Sequence, residues 1–330
     1  MKILLVAPPA GFWDQVQTAL NGVATVGRFD TRRFMLAGGV GSHARSLWRG
    51  IRSVPPLKRL NSWCIGRELI RVSAGYDAVL LYKFGDVPSA AIAHLRRNGT
   101  RVAAWQIDPP NAPDIERAWR TYAPHADVVF HFDGALAASR QPCRMMHLPL
   151  AVDVERFAPM RAVAERHAYD ANISFIGAPY PERVRLLERV AHRGLALYGW
   201  SGWRATSLAS LYRGPVTVDE AAHIYARSKI AVNSNWTPPI AGVNLKTFEI
   251  PAAGGMQLTD LRADLPGLFV PEEEIAVFRN DDEFEQQVER LLTDDAARER
   301  IRGAGVARVI RDHTLRARVA KIVEVLETLR

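Results

Sequence analysis

Short apolar runs alternate along this chain with longer stretches whose apolar residues recur every three to four positions. That pattern predicts strands joined by helical crossovers in parallel sheets. The runs Ile3–Ala7, Ala78–Tyr82, Arg101–Ile107, Val128–Phe132 and Met145–Pro149 predict the strands of a first sheet, with helices at Gln15–Leu20, Ser89–Arg97 and Ile115–Tyr122. A polar stretch, Met160 to Ala171, breaks the rhythm and reads as a linker. The alternation resumes with strands at Ile173–Gly177, Ala196–Tyr198, Ile230–Asn233 and Met256–Thr259. Helices are expected at Glu182–Arg193, Val218–Ser228, Leu245–Ala253, Glu283–Leu292, Ala296–Arg311 and Leu315–Arg330. The expectation is an α/β chain of two doubly wound, Rossmann-like domains, residues 1–155 and 156–314, with a terminal helix over 315–330 packing back toward the first. Ligands of such sheets bind beyond the carboxyl ends of the strands, so the site is expected in a cleft lined by loops of both halves.

Length and composition fit this picture. The chain has 330 residues, 48% of them hydrophobic, which suits two cores better than one. Its two cysteines, Cys64 and Cys143, form no CxxC pair, so a reducing compartment is expected. The apolar run after Met1 is too short for a signal peptide and stops at Pro8-Pro9. No uninterrupted apolar run reaches about 18 residues, the length that argues a membrane span. The expected location is therefore cytoplasmic, at most at the inner face of the membrane.

The net charge of +8 is unevenly spread. Between Arg28 and Arg71 there are ten Lys or Arg and two acidic residues, Asp30 and Glu68, with Trp48 and Trp63 among them. Ala44–Ile51 is expected as a helix carrying Leu47, Trp48 and Ile51 on one side, beside Arg45, Arg49 and Arg52. Such a helix suits peripheral contact with an anionic membrane or a phosphorylated lipid acceptor; the alternative is a solvated basic face with its tryptophans packed inward. No recognition motif accompanies the charge, which argues against nucleic acid. The first strand leads into Pro8-Pro9-Ala10-Gly11 rather than GxGxxG, which argues against a nicotinamide dinucleotide.

The richest segment runs from Asn244 to Asp260 (NLKTFEIPAAGGMQLTD). It reads as a short helix ended by Gly254-Gly255, then a buried strand. Lys246 and Glu249 are three apart and share a helix face. The free N–H groups of Asn244, Leu245, Lys246 and Thr247 at the helix start favour an anion such as a diphosphate, Lys246 adds a charge, and Glu249 is placed to accept hydrogen bonds from ribose hydroxyls. The plainer alternative is a surface ion pair followed by a glycine cap.

This segment resembles the donor-binding stretch of GT-B glycosyltransferases related to the spore-maturation type, in which a basic residue, a Phe-Glu-Ile-Pro run, a Gly-Gly turn and a strand ending in Thr-Asp recur. Leu265–Phe269, Glu272–Phe278, Asp281–Phe284 and Gly303–Thr314 are similar to that family's C-terminal signature. The resemblance implies the GT-B fold and transfer of a sugar from a nucleotide-diphosphate sugar to a glycan or lipid-linked acceptor. It also implies Glu249 on the donor ribose and Lys246 on the diphosphate. A second match, His147–Phe157, is similar to the interdomain segment of GT-B enzymes, with Leu150-Ala151 where Asn-Gly is usual; Asp153 there reads as a turn cap. A third, Trp105–Pro110, ends a strand with Asp108 before a proline turn; Asp108 would orient or deprotonate an acceptor hydroxyl, or serve the turn.

Other candidates come from strand ends. His131, between two phenylalanines, would act in catalysis or sit in the core; Asp133 would line the acceptor side or form a turn with Gly134. Gly11 would allow close backbone approach, and Asp14 is either a base or the N-cap of the first helix. Gly177 and Arg183 follow the first strand of the second half, where donor phosphates are expected. Trp200 and Trp203 would either stack on a base or be buried anchors. Asn233–Trp236 and Thr237–Pro239 would border the sugar. Ala241 stands where many retaining GT-B enzymes carry a glutamate, so retention is not implied. No Asp-x-Asp element or His/Cys cluster suggests a metal, and no cofactor beyond the nucleotide sugar is expected. A nucleotide-sugar epimerase or hydrolase of the same fold, and a non-catalytic binding relative, are the competing readings.

Overall fold

The computed structural model describes residues 1–9, 11–30, 54–82, 87–108, 120–139, 143–164, 169–235 and 240–329. These form two compact units, Met1–Pro149 with Arg316–Arg330, and Leu150–Leu315.

The first unit holds a six-stranded parallel sheet, ordered β2-β1-β3-β4-β5-β6. Its strands are β1 (Lys2–Val6), β2 (Thr25–Phe29), β3 (Ala78–Leu81), β4 (Arg101–Gln106), β5 (Val128–His131) and β6 (Met145–His147). The central strands are buried on both faces, with Ile3, Leu4, Leu5, Val79 and Leu80 sealed from solvent, which is why they read as unbroken apolar runs. The described helices are α1 (Phe12–Asn21), α2 (Pro55–Ser73), α3 (Ser89–Arg97) and α4 (Gly134–Ala138). The expected helix Ala44–Ile51 and most of Ile115–Tyr122 lie outside the described residues.

β2, α2 and the short α4 were not foreseen. β2 is an edge strand whose sequence, Thr-Val-Gly-Arg-Phe, lacks an apolar run. It is held by its full register against β1 and by the Tyr76 side chain, which lies where a Cβ on Gly27 would sit. In α2 the buried Ile65 and Leu69 and the partly buried Ile70 and Val72 pack on the core while Leu57, Leu60 and Trp63 are exposed, so no single apolar face stood out.

The second unit holds a five-stranded parallel sheet, ordered β11-β10-β9-β7-β8. Its strands are β7 (Ala171–Gly177), β8 (Leu195–Gly199), β9 (Ser228–Asn233), β10 (Gln257–Asp260) and β11 (Ala276–Phe278). Its helices are α5 (Val154–Ala164), α6 (Pro181–Glu188), α7 (Val218–Ala226), α8 (Lys246–Ala252), α9 (Asp281–Thr293) and α10 (Asp295–Asp312). Local caps fix several starts: Thr217 and Glu220 close a capping box on α7, and Asn280 and Asp294 cap α9 and α10. Phe175, Trp203, Leu197, Ile230, Leu258 and Phe284 fill the core. β11 escaped notice because three residues carry no period.

The polar stretch expected as a linker is in part the end of α5, which runs to Ala164. Residues 165–168 of that stretch lie outside the described residues. The inner side of α5 packs on Gly254, where an added Cβ would come within 2.9 Å of the Ala164 Cβ. Arg161 donates to Val154 O and to Ala252 O at the end of α8. The chain enters and leaves this unit side by side: Val152 N donates to His313 O, and Leu315 N to Val152 O. The last helix, α11 (Leu315–Thr328), buries Val319, Ile322 and Leu326. In the first unit Arg318 donates to Pro149 O and Arg101 to Leu329 O.

Helix α10 contains a test of packing against propensity. An alanine Cβ at Gly305 would lie 2.5 Å from Glu274 O, whereas at Gly303 it would meet nothing within 4 Å. Helix propensity alone favours alanine over glycine by about 1 kcal/mol at either site. Gly303→Ala should therefore raise stability by up to that amount. Gly305→Ala should instead lower it by roughly 1–3 kcal/mol, the usual cost of overpacking. Urea unfolding of the two variants against the parent reads out both signs.

Candidate functional site

The second unit gathers its polar side chains at the carboxyl ends of β7, β9 and β10. α8 follows β9 and is ended by a Schellman turn: Gly255 N donates to Ile250 O, Gly254 N to Pro251 O, and Gly254 takes φ 86°. A Cβ at Gly255 would fall 2.8 Å from Tyr225 O, so the Gly-Gly pair is required by conformation at one position and by space at the next. From behind, α8 is held by an aromatic cluster. Phe248 lies 6.0 Å from Phe269 and 5.2 Å from His313, and the His313 ring bonds Leu268 O at 2.8 Å. The residues of the C-terminal signature thus form the wall against which α8 rests.

On the open side of α8 stand Lys246 and Glu249, both half-buried. The surface ion pair expected as the plain alternative is not formed. Lys246 Nζ instead donates to Ile176 O at the end of β7, at 2.6 Å. Among the described residues the Glu249 carboxylate has no hydrogen-bond or ion-pair partner. Burial pushes Glu249 up, against the opposing pull of Lys246 and Arg156. Burial, helped by the nearby charge of Arg183, pushes Lys246 down to about 8. At seven residues α8 is too short for its dipole to dominate, so the positive potential here comes from side chains.

Arg183, in the first turn of α6, is buried and has no carboxylate bound to it among the described residues. Its guanidinium donates to Ser234 O at 2.7 Å, Asn235 O at 3.3 Å and Ala178 O at 3.4 Å, and lies over the Tyr180 ring at 4.8 Å. Burial lowers its pKa, with Tyr180, Glu182 and Asp260 opposing. Rather than reaching outward, Arg183 ties the loop after β7 to the loop after β9. Gly177, at the end of β7, leaves room for the Phe175 ring 3.0 Å from where its Cβ would be.

Asn244 and Thr247 turn out to be internal struts. The amides of Asn233 and Asn244 bond each other reciprocally at 2.9 and 3.1 Å, Asn233 also donates to Thr247 Oγ1, and Asn244 Oδ1 accepts from Thr247 N. Asn235 Oδ1 accepts from Asn244 N, while Asn235 donates to Asp260, itself paired with Arg262. Leu245 contributes backbone only, accepting from Phe248 N and Glu249 N. Asn235, expected beside the sugar, is thus bonded inward, and the positions of Asp260 and Arg156 near these groups were not anticipated. The available signal was the pair Asn233 and Asn235 closing an apolar strand, since buried amides need partners. Residues 236–239, expected beside the sugar, lie outside the described residues.

The two tryptophans after β8 separate. Trp203 is sealed in the core, donating through Nε1 to Gly177 O at 2.9 Å. Trp200 is 71% exposed, and its backbone N–H reaches the same Gly177 carbonyl.

In the first unit the candidates are mostly taken by structural duties. Asp14 is not the cap of α1. That helix starts two residues earlier, after Gly11 at φ 57°, and the Asp14 carboxylate pairs with Arg28 at 2.6 Å. Asp133 is buried and caps α4, accepting from Leu136 N at 2.9 Å. His131 is buried, and its Nδ1 accepts from Asp133 N at 3.0 Å, which leaves the proton on Nε2. Burial pushes its pKa down to about 4, with Asp133 opposing. The ring is therefore held neutral. Asp108 lies two residues beyond β4, half-buried, its carbonyl accepting from Gln106. Asp153 accepts from Glu155 N, as a turn residue does. Among the described residues no group of three His, Cys, Asp or Glu is placed to hold a metal.

A family model described as glycosyl transferase-like matches residues 160–324. The spore protein CgeB of Bacillus subtilis is 24% identical over 223 residues, covering 60% of this chain and 68% of that protein. Among solved structures, sucrose-phosphate synthase of Thermosynechococcus elongatus aligns with a TM-score of 0.70 at 13% identity, over 99% of this chain and 98% of its own. Anabaena HepE, solved in complex with UDP and glucose, aligns with a TM-score of 0.68 at 12% identity over the whole of both chains. These similarities show the fold, that of GT-B glycosyltransferases.

The half-buried lysine has a thermodynamic signature. A lysine whose folded pKa of about 8 lies below the unfolded value destabilises the native state fully below pH 8. That penalty fades as pH rises from 8 toward the unfolded value near 10.4. Lys246→Met should therefore raise stability at pH 7 by about 1–2 kcal/mol, after allowing for the lost bond to Ile176 O. The gain should shrink between pH 8 and 10, which thermal unfolding across that range measures.

Proposed function

This chain belongs to the glycosyl transferase-like family, and from that premise we propose that it transfers a sugar from a nucleoside-diphosphate donor to a glycan or lipid-linked acceptor. The observation that carries this reading is the meeting, at the strand ends of the second unit, of two cations, Lys246 and Arg183, that have no bound carboxylate among the described residues, beside the Glu249 carboxylate, which has no partner among them either. A diphosphate supplies the missing negative charge, and a ribose supplies the missing hydroxyl donors. The UDP and glucose bound in the HepE structure agree with a donor of this class.

In this reading Lys246 contacts the diphosphate and Arg183 holds the two phosphate-facing loops in place. As the bond from the anomeric carbon to the diphosphate breaks, negative charge grows on the leaving oxygen. A cation already fixed there stabilises that state more than the ground state. Fixing it in advance costs native stability, which is the usual exchange at such sites. Glu249 accepts from the ribose hydroxyls, and Trp200 offers its exposed ring to the base. Ala241 provides no carboxylate to the sugar, so we assign the acceptor's proton to Asp108.

Thermal-shift and calorimetric titration with UDP and other nucleoside diphosphates, then donor turnover with and without glycan acceptors, test this reading. Glu249→Ala should weaken nucleotide binding by about tenfold or more, the worth of hydrogen bonds to a charged group. Trp200→Ala should weaken it by about three- to tenfold, the worth of an aromatic stack. Asp108→Asn should leave binding intact and suppress turnover. Unchanged affinity in Glu249→Ala would remove the donor site from α8. Acceptor-independent loss of donor would favour a hydrolase or epimerase, and binding without turnover a sugar-nucleotide-binding protein.

A further inference from the structure

Ten large apolar side chains are exposed among the described residues, and four of them fall within ten positions: Val54, Leu57, Leu60 and Trp63. Chance scatter of single exposed apolar residues is normal; a cluster at the start of one helix is not. Leu57, Leu60 and Trp63 follow one another at three-residue spacing on α2, opposite the core-facing Ile65 and Leu69. Pro56 and Arg59 are exposed as well. Trp63 is the most exposed of the four, at 55%.

The charge around this ridge has one sign. α2 carries four basic residues, Lys58, Arg59, Arg67 and Arg71, against one acid, Glu68, which is engaged by Arg71. Arg67 lies over the Trp63 ring at 4.8 Å, keeping a cation at the edge of the apolar ridge. An indole, leucines and flanking arginines on a helix too charged to cross a bilayer are the components of a helix that lies in a lipid interface. There the leucines enter the acyl boundary, the indole sits at headgroup level and the long arginines reach the phosphates. No described helix is long and apolar enough to cross a membrane.

We propose that the exposed ridge of α2, Leu57–Leu60–Trp63 with Arg59 and Arg67, docks the first unit on an anionic lipid surface. The occupant follows from charge complementarity: a neutral apolar partner would leave Arg59 and Arg67 uncompensated, whereas an anionic bilayer satisfies both the ridge and its cations. The inference concerns the first unit alone and stands independently of the sugar-transfer reading.

Vesicle cosedimentation of the full chain tests it. The protein should sediment with phosphatidylglycerol–phosphatidylcholine vesicles at low salt, bind phosphatidylcholine vesicles at least tenfold more weakly, and be released by high salt. Leu60→Glu/Trp63→Glu and Arg59→Glu/Arg67→Glu should each lower anionic-vesicle binding by on the order of tenfold or more, since one basic residue near such a surface is worth about 1 kcal/mol. Both pairs are exposed, so circular dichroism and nucleotide binding should match the parent. In the parent, brominated lipid should quench a fraction of the tryptophan emission that Trp63→Phe removes. Equal binding to both vesicle types, undiminished binding by the two double variants, or no binding by the parent would overturn the proposal. So would a concentration-dependent dimer that Leu60→Glu/Trp63→Glu abolishes, because a second copy would then be the occupant.

Discussion

Two neighbouring positive side chains with no carboxylate hydrogen-bonded to them among the described residues set the character of the second unit. Lys246 and Arg183 spend their hydrogen bonds on backbone carbonyls: Ile176 for the lysine, and Ala178, Ser234 and Asn235 for the arginine. Such bonds satisfy donors but do not cancel charge. A fold tolerates this arrangement only if the rest of the structure fixes it, because burying unneutralised charge is costly. Much of the unit can be understood as that fixing: the Asn233–Asn244 amide pair, the Asn235–Asp260–Arg262 chain, and the tie that Arg183 makes between two loops.

The same constraint explains why the C-terminal signature accompanies the α8 segment, although none of its residues faces the cations. Phe269 and His313 form the surface on which Phe248 lies, and His313 is itself anchored on Leu268 O. Gly305 brings α10 close enough that a Cβ there would stand 3.7 Å from Pro251. α5 closes the other end of α8 through Arg161 and Gly254. A seven-residue helix has little stability of its own, so its position is decided by these contacts.

The first unit uses its polar residues differently. Asp14, Asp133 and His131 sit at or near strand ends, where reactive groups are often found. Each has a local partner: Arg28, the start of α4, and the Asp133 backbone. Short polar side chains next to turns meet backbone donors before they meet a ligand. What the first unit displays instead is surface, an apolar ridge edged with arginines on α2.

Periodicity along the chain was enough for two parallel α/β units and for most of their strands, because central strands buried on both faces must be apolar throughout. The same applies to the α8 segment: the helix carrying Lys246 and Glu249 and the Gly254-Gly255 turn that ends it were visible because helix spacing and glycine conformation are local properties. Edge elements such as β2 and β11 were not visible, since register against a neighbour, not composition, makes them strands. Nor could the roles of Asn244, Arg183 and the two tryptophans be read in advance. Asn244 and Arg183 prove internal, and Trp203 is buried while Trp200, three residues away, is exposed. Whether a polar or aromatic side chain is spent inward or left for a ligand depends on which groups the tertiary fold brings beside it, and in this chain those groups lie tens of residues away.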